Sequence, residues 1–193
     1  CGSWNSLVET VEAIKKGINP TSPRLRGTAT VKLSDIKASK TARILTKIPE
    51  LDRVLGGGLV SGQVVLIAGE PGIGKSTLLL EVSDKLAAKM PSCQAVLYVC
   101  GEESASQIAI RAQRLGIKNK NVQLLESTNV DDVINTCNTC NTCYTCVVVD
   151  SIQTMYTSDL SGMTGSVGQV RECAARLLRV CKEKEIPLFL VGH

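Results

Sequence analysis

The chain has 193 residues, of which 44% are hydrophobic, 21% charged and only 3% aromatic. That describes one domain with a small extension and a core of Val, Ile, Leu and Ala, and no apolar run approaches the roughly 20 residues of a membrane span. The net charge of +4 is uneven, because residues 1–43 carry eight Lys/Arg against three Asp/Glu while residues 44–193 carry fourteen against fifteen.

Residues 1–43 show little periodicity beyond a short helix expected over 8–16. Asn19-Pro20-Thr21-Ser22-Pro23 is a breaker cluster. The rest of this segment is basic and polar, which suits either a solvated linker or a contact with nucleic acid. The folded core is expected over 44–193. The chain begins with Cys1 rather than Met and ends on an apolar strand, so we expect a piece of a longer protein, with any targeting peptide out of view.

From Arg43 onward apolar runs alternate with helical periodicity. Strands are expected over 64–68, 95–100, 121–125, 146–150 and 187–191, and helices over 76–89, 104–115, 129–136 and 167–184. Such alternation predicts an α/β fold with a mainly parallel sheet flanked by helices. Ligands of such sheets sit at the carboxyl ends of the strands, so chemistry is expected there.

The first strand ends in Gly69-Glu70-Pro71-Gly72-Ile73-Gly74-Lys75-Ser76-Thr77, which fits the phosphate-binding P-loop pattern. Glycines clear side chains from the backbone N–H groups, and the following helix aims its positive end at the phosphates. Lys75 can reach the β- and γ-phosphates and Ser76 can place its hydroxyl on Mg²⁺. Thr77 caps the helix or contacts the α-phosphate side. ATP and Mg²⁺ are the expected cofactors.

The second strand ends in Cys100-Gly101-Glu102-Glu103-Ser104. A carboxylate there is suited to polarising an attacking water in phosphoryl transfer. Glu102 is the expected base with Glu103 its helper, the reverse assignment being open. The alternative is that both acids merely favour the start of the next helix. The fourth strand ends in Val147-Val148-Val149-Asp150-Ser151, a Walker B pattern whose Asp150 holds Mg²⁺ directly or through water. The fifth ends in Gly192-His193, where His193 either senses the γ-phosphate or has no role.

Nine cysteines suit reduced thiols, because a nucleotide-binding domain of this size needs no disulfide staples. Cys137, Cys140, Cys143 and Cys146 recur every third residue. C-x₂-C pairs do supply zinc and iron–sulfur ligands. Here the tandem Asn-Thr-Cys reads instead as expansion of a short repeat in a loop, with Cys146 held in a buried strand, so we expect no tightly held zinc or iron.

Several passages carry a resemblance. Ile48 to Leu59, with its Gly56-Gly57-Gly58, is similar to RecA-like ATPases. The P-loop segment, LYVCGEESASQIAIRAQRLGI and VVVDSIQTMYTSDLSGMTGSVGQVRECAARLLRV resemble the bacterial-type RadA (Sms) family of DNA repair proteins. Cys1 and the residues after it are similar to the end of that family's four-cysteine zinc finger, and Cys1 alone cannot hold Zn²⁺. The cysteine repeat departs from the family pattern.

The resemblance implies a RecA-like P-loop NTPase fold and an ATPase that acts on single-stranded or branched DNA and promotes branch migration of recombination intermediates. It implies a homo-hexamer and zinc in the full-length protein, and a cytoplasmic or organellar location. It carries nucleotide and Mg²⁺ binding onto Lys75, Ser76, Thr77 and Asp150, and water activation onto Glu102 or Glu103. It puts a DNA-contacting loop at Thr154 to Gly168, where Gly162, Gly165 and Gly168 would give mobility. The competing readings are a KaiC-type or replicative helicase domain, a P-loop small-molecule kinase, and a non-catalytic nucleotide-binding module.

Overall fold

The structure, a computed structural model, describes residues 30, 32, 43–88, 90, 91, 93–139 and 143–193. Cys1, the helix expected over 8–16 and Cys140 lie outside the described residues. The compact unit that carries the core runs from Lys40 to His193.

Its elements alternate as the hydrophobic pattern requires. Helix α1 (Pro49–Val54) precedes β1 (Val64–Ala68), α2 (Lys75–Ala87), β2 (Gln94–Cys100), α3 (Ala105–Arg114) and β3 (Val122–Leu125). Then come α4 (Val130–Asn138), β4 (Cys143–Asp150), a 3-10 turn at Ile152–Thr154, α5 (Val167–Glu183) and β5 (Leu188–Gly192). Helix α1, with Pro49 in its first turn, was not expected as a helix. Asp52 fixes it by accepting from both the backbone N–H and the hydroxyl of Thr46 at 2.8 Å.

The five strands form one parallel sheet in the order β1-β5-β4-β2-β3. Successive side chains of a strand point to opposite faces, and each face builds its own core. Leu97, Val99, Val147, Val149, Leu188 and Leu190 pack with Val133 of α4 and Leu177 of α5. Val96, Tyr98, Val148, Phe189 and Val191 pack with Leu79 and Val82 of α2 and Ile108 of α3. Burial on both faces explains why β4 and β5 read as continuous apolar runs rather than alternating ones.

Two expectations need correction. Among its described residues the cysteine repeat is mostly helix and strand. Cys137 belongs to α4, and β4 starts at Cys143 rather than 146, pairing with β2 from Gln94 onward. The pairing shifts register between Ala95 and Val96, so one extra residue of β4 is absorbed as a bulge. Among the described residues no group of three or more His, Cys, Asp or Glu side chains is arranged to hold a metal. Burial raises the Cys137 and Cys181 thiols to about 11 and about 12, which keeps them protonated. Metal analysis of the purified chain is expected to find less than one zinc or iron per chain. One tightly held ion, lost on Cys137→Ser with Cys143→Ser, would contradict this.

The second correction concerns the loop at 154–168. Gly168 lies inside α5, and the first half of the loop is pinned. Buried Gln169 accepts from the Thr157 N–H at 2.9 Å and donates to the carbonyls of Thr157 and Leu160 at 3.2 and 2.7 Å. Arg176 adds an ion pair to Asp159 at 2.9 Å. The exposed large apolar side chains of this stretch are Leu160 and Met163 in the loop and Val167 at its junction with α5.

Candidate nucleotide site

The sheet order sets the site. Chain-last β5 lies between the P-loop strand β1 and the Walker B strand β4, with β2 beyond β4. Four strand ends therefore converge: Ala68 leads to the P-loop, Gly192 to His193, Asp150 to Ser151, and Cys100 to Glu102. Between them lies a cavity of about 260 Å³. Pro71, Gly72, Gly74, Lys75, Ser76 and Thr77 line one side, and Glu102, Glu103, Arg111 and His193 the other.

The P-loop side is built from backbone. Gly72 and Gly74 have φ of 81° and 103°, a region open to glycine, and a Cβ at either would project into open space. Helix α2 starts at Lys75 without a side-chain cap and without an acidic residue in its first turn. Its first N–H groups face the cavity with no partner from a capping side chain, which is what a phosphate needs. Lys75 is buried, and its Nζ donates to the carbonyls of Gly69 at 2.6 Å and Glu70 at 2.8 Å. Those bonds curl the loop around the ammonium. Ile73 is exposed. This donor set fits a triphosphate.

The opposite side is acidic and individually restrained. Glu102 accepts from the Ser151 hydroxyl and lies 2.9 Å from His193 Nε2. Burial acts to raise its pKa, but the Ser151 and His193 bonds and the charge of Lys75 outweigh burial and leave it below the ordinary carboxylate value. Glu103 pairs with Arg111 instead.

Asp150 lies deeper, 7% exposed, and Tyr98 donates to its Oδ2 at 2.7 Å. Burial and the carboxylate drive the Tyr98 pKa far upward, so the phenol stays a donor. The Asp150–Ser151 peptide is cis. Gly101 sits in a tight crossing. A Cβ there would land on Thr154 Oγ1 and 3.2 Å from the Asp150 carbonyl.

Every described candidate from the sequence thus collects at one end of the sheet. Ser151, Tyr98 and Arg111 were missed. Ser151 stood next to a recognised motif, whereas Tyr98 and Arg111 read as an ordinary core residue and an ordinary helix-surface residue.

Fold and site together define an α/β P-loop nucleotide-binding domain of the RecA-like type. The family profile described as "AAA domain" matches residues 30–193, and the chain belongs to that family. Over its whole length it is similar to proteins named "DNA repair protein RadA". Identity is 44% to that of Aquifex aeolicus over 193 residues, all of this chain and 41% of the relative. It is 46% to that of Bacillus subtilis over 200 residues, covering all of this chain and 42% of the relative. It is 43% to that of Pseudomonas aeruginosa over 194 residues, with the same 42% of the relative covered. The chain therefore spans about two fifths of the length of these relatives. The resemblance drawn from the motifs holds from end to end. Among the described residues no helix is long and apolar enough to cross a membrane.

Proposed function

We propose that this domain is the ATPase core of a DNA repair and recombination protein, one that hydrolyses ATP with Mg²⁺, is stimulated by DNA and promotes branch migration. The observation that carries this is the single cavity shared by Lys75, Ser76, Glu102, Glu103 and His193, with Asp150 behind it.

In this reading the P-loop N–H groups and Lys75 hold the triphosphate. Ser76 and Asp150 would hold Mg²⁺, which would supply neutralisation of phosphate charge when bound. Glu102 orients the attacking water and takes its proton. Glu103 assists. His193, hydrogen-bonded to Glu102, is suited to report the terminal phosphate to that glutamate. The loop from Thr154 follows Ser151 after the 3-10 turn at Ile152–Thr154, so a change at Glu102 would have a short, continuous route along the chain toward the DNA. Cys1 would be the last zinc ligand of a finger in a longer protein, and the longer protein would assemble as a homo-hexamer. The "DNA repair" in the relatives' names supports the DNA partner.

Two measurements test this. The 193-residue chain is expected to bind MgATP but to turn it over slowly and with little response to single-stranded DNA. RecA-like ATPases complete each site with a cationic group from a neighbouring subunit, a contribution of about 10³–10⁵ in related nucleotide hydrolases. Stimulation equal to that of a longer version would show that residues 154–168 suffice for coupling, and failure to bind MgATP would overturn the reading.

The second measurement is a pH profile. Glu102 has a lowered pKa, so the rate is expected to hold through neutral pH and fall only as pH drops through that lowered value. The sign for stability is the same. Its contribution is present above the unfolded-state pKa and lost as pH falls through the folded one. Ser151→Ala removes one donor and is expected to move the acid limb upward. A limb that stays put would mean that Glu102 is not the group titrating.

A further inference from the structure

Two carboxylates stand side by side at the end of β2, and the structure treats them differently. Glu102 is held by neutral or titratable donors, Ser151 and His193. Glu103 is held by a permanent cation, Arg111. Arg111 sits two turns into α3, whose start is locked by a reciprocal capping box between Ser104 and Gln107. Helical side chains lean toward the N-terminus, which brings the guanidinium back onto Glu103. Arg111 Nη1 is enclosed and has no hydrogen-bond partner among the described residues, so the guanidinium is not shared with a second carboxylate.

We propose that Arg111 is a positioning residue that ties Glu103 to α3 and thereby makes Glu102 the one general base of the site. The inference rests on the ATPase reading above. A carboxylate in an ion pair has its lone pairs committed to N–H donors and must separate charges before it can receive a proton from water. Glu102 can exchange the Ser151 hydroxyl for water without separating charges. In the step concerned the water oxygen bonds to the terminal phosphorus as the bond to the diphosphate leaving group breaks. The water's proton passes to a carboxylate. Arg111 decides which one.

The test is single-turnover hydrolysis of MgATP by the 193-residue chain in excess over nucleotide. Glu102→Gln is expected to slow hydrolysis by about 100-fold or more, the usual contribution of a general base. Adding Arg111→Ala frees Glu103 and is expected to restore about tenfold of that loss, a part of the general-base contribution. Adding Glu103→Gln as well should remove the recovery, and Arg111→Lys, which keeps the charge, should give little of it. A merely structural role for Arg111 predicts a further loss in the double variant. Arg111→Gln repeats the test where the alanine variant melts early.

No recovery in a folded, nucleotide-binding double variant overturns the proposal while leaving the ATPase reading intact. Recovery that survives Glu103→Gln also overturns it. A parental chain that binds but never hydrolyses ATP overturns the ATPase reading, and the proposal with it.

Discussion

Lys75→Ala is expected to weaken MgATP binding by about 100-fold or more, which is roughly 3 kcal/mol and within the range for deleting a buried, charged hydrogen-bond donor. The effect has two parts. In the proposed reading the ammonium is the P-loop side chain that would reach the β- and γ-phosphates. It also organises the loop, through its bonds to the Gly69 and Glu70 carbonyls at 2.6 and 2.8 Å. Alanine leaves both carbonyls without a donor and removes the charge that faces the phosphates. Calorimetric titration measures the affinity, and a circular dichroism melt separates it from unfolding. Unchanged affinity would remove the basis for assigning the nucleotide to this loop.

Glu102→Gln is expected to leave MgATP affinity within about threefold and to cut turnover by about 10²–10⁴. The amide keeps the shape, and its oxygen can still accept from Ser151 or His193. It cannot take a proton from water. The distinction from the lysine variant is sharp: one loses binding, the other chemistry. Comparable turnover in Glu102→Gln with a dead Glu103→Gln would exchange the two roles. Full activity in both would exclude either as the base.

These expectations draw unequally on sequence and structure. The P-loop is legible because its function is performed by backbone, and the backbone's needs leave a fixed local mark: glycines at Gly72 and Gly74, then Lys75 and Ser76 opening a helix. The strands are legible because a sheet buried on both faces demands unbroken apolar runs, and Val147-Val148-Val149 ending in Asp150 is such a run. Element ends were displaced by a few residues where tertiary pairing overrode local cues. Strand β4 begins at Cys143 because β2 offers partners from Gln94 onward, although Tyr144-Thr145-Cys146 reads as the tail of a repeat.

Side-chain partnerships were less legible. The pair Glu102-Glu103 is legible as two adjacent carboxylates at a strand end, but which partner each one takes is not. Ser151, Arg111 and His193 approach it from positions 49, 8 and 91 residues away in the chain. Tyr98, 52 residues from Asp150, reads as a plain core aromatic until its hydroxyl is seen against that carboxylate. The glycines of the loop at 154–168 suggested mobility, yet the anchors at Gln169 and Arg176 come from the helix that follows.

By itself, then, the sequence determined the α/β class, the parallel strands, the phosphate loop and an aspartate, Asp150, closing an unbroken apolar strand, because each depends on residues adjacent in the chain or on a short period. Only the tertiary structure decided that β5 lies between β1 and β4. That order brings His193 to Glu102. That contact joins residues 91 positions apart, and its geometry depends on strand order, which no local pattern of hydrophobicity encodes.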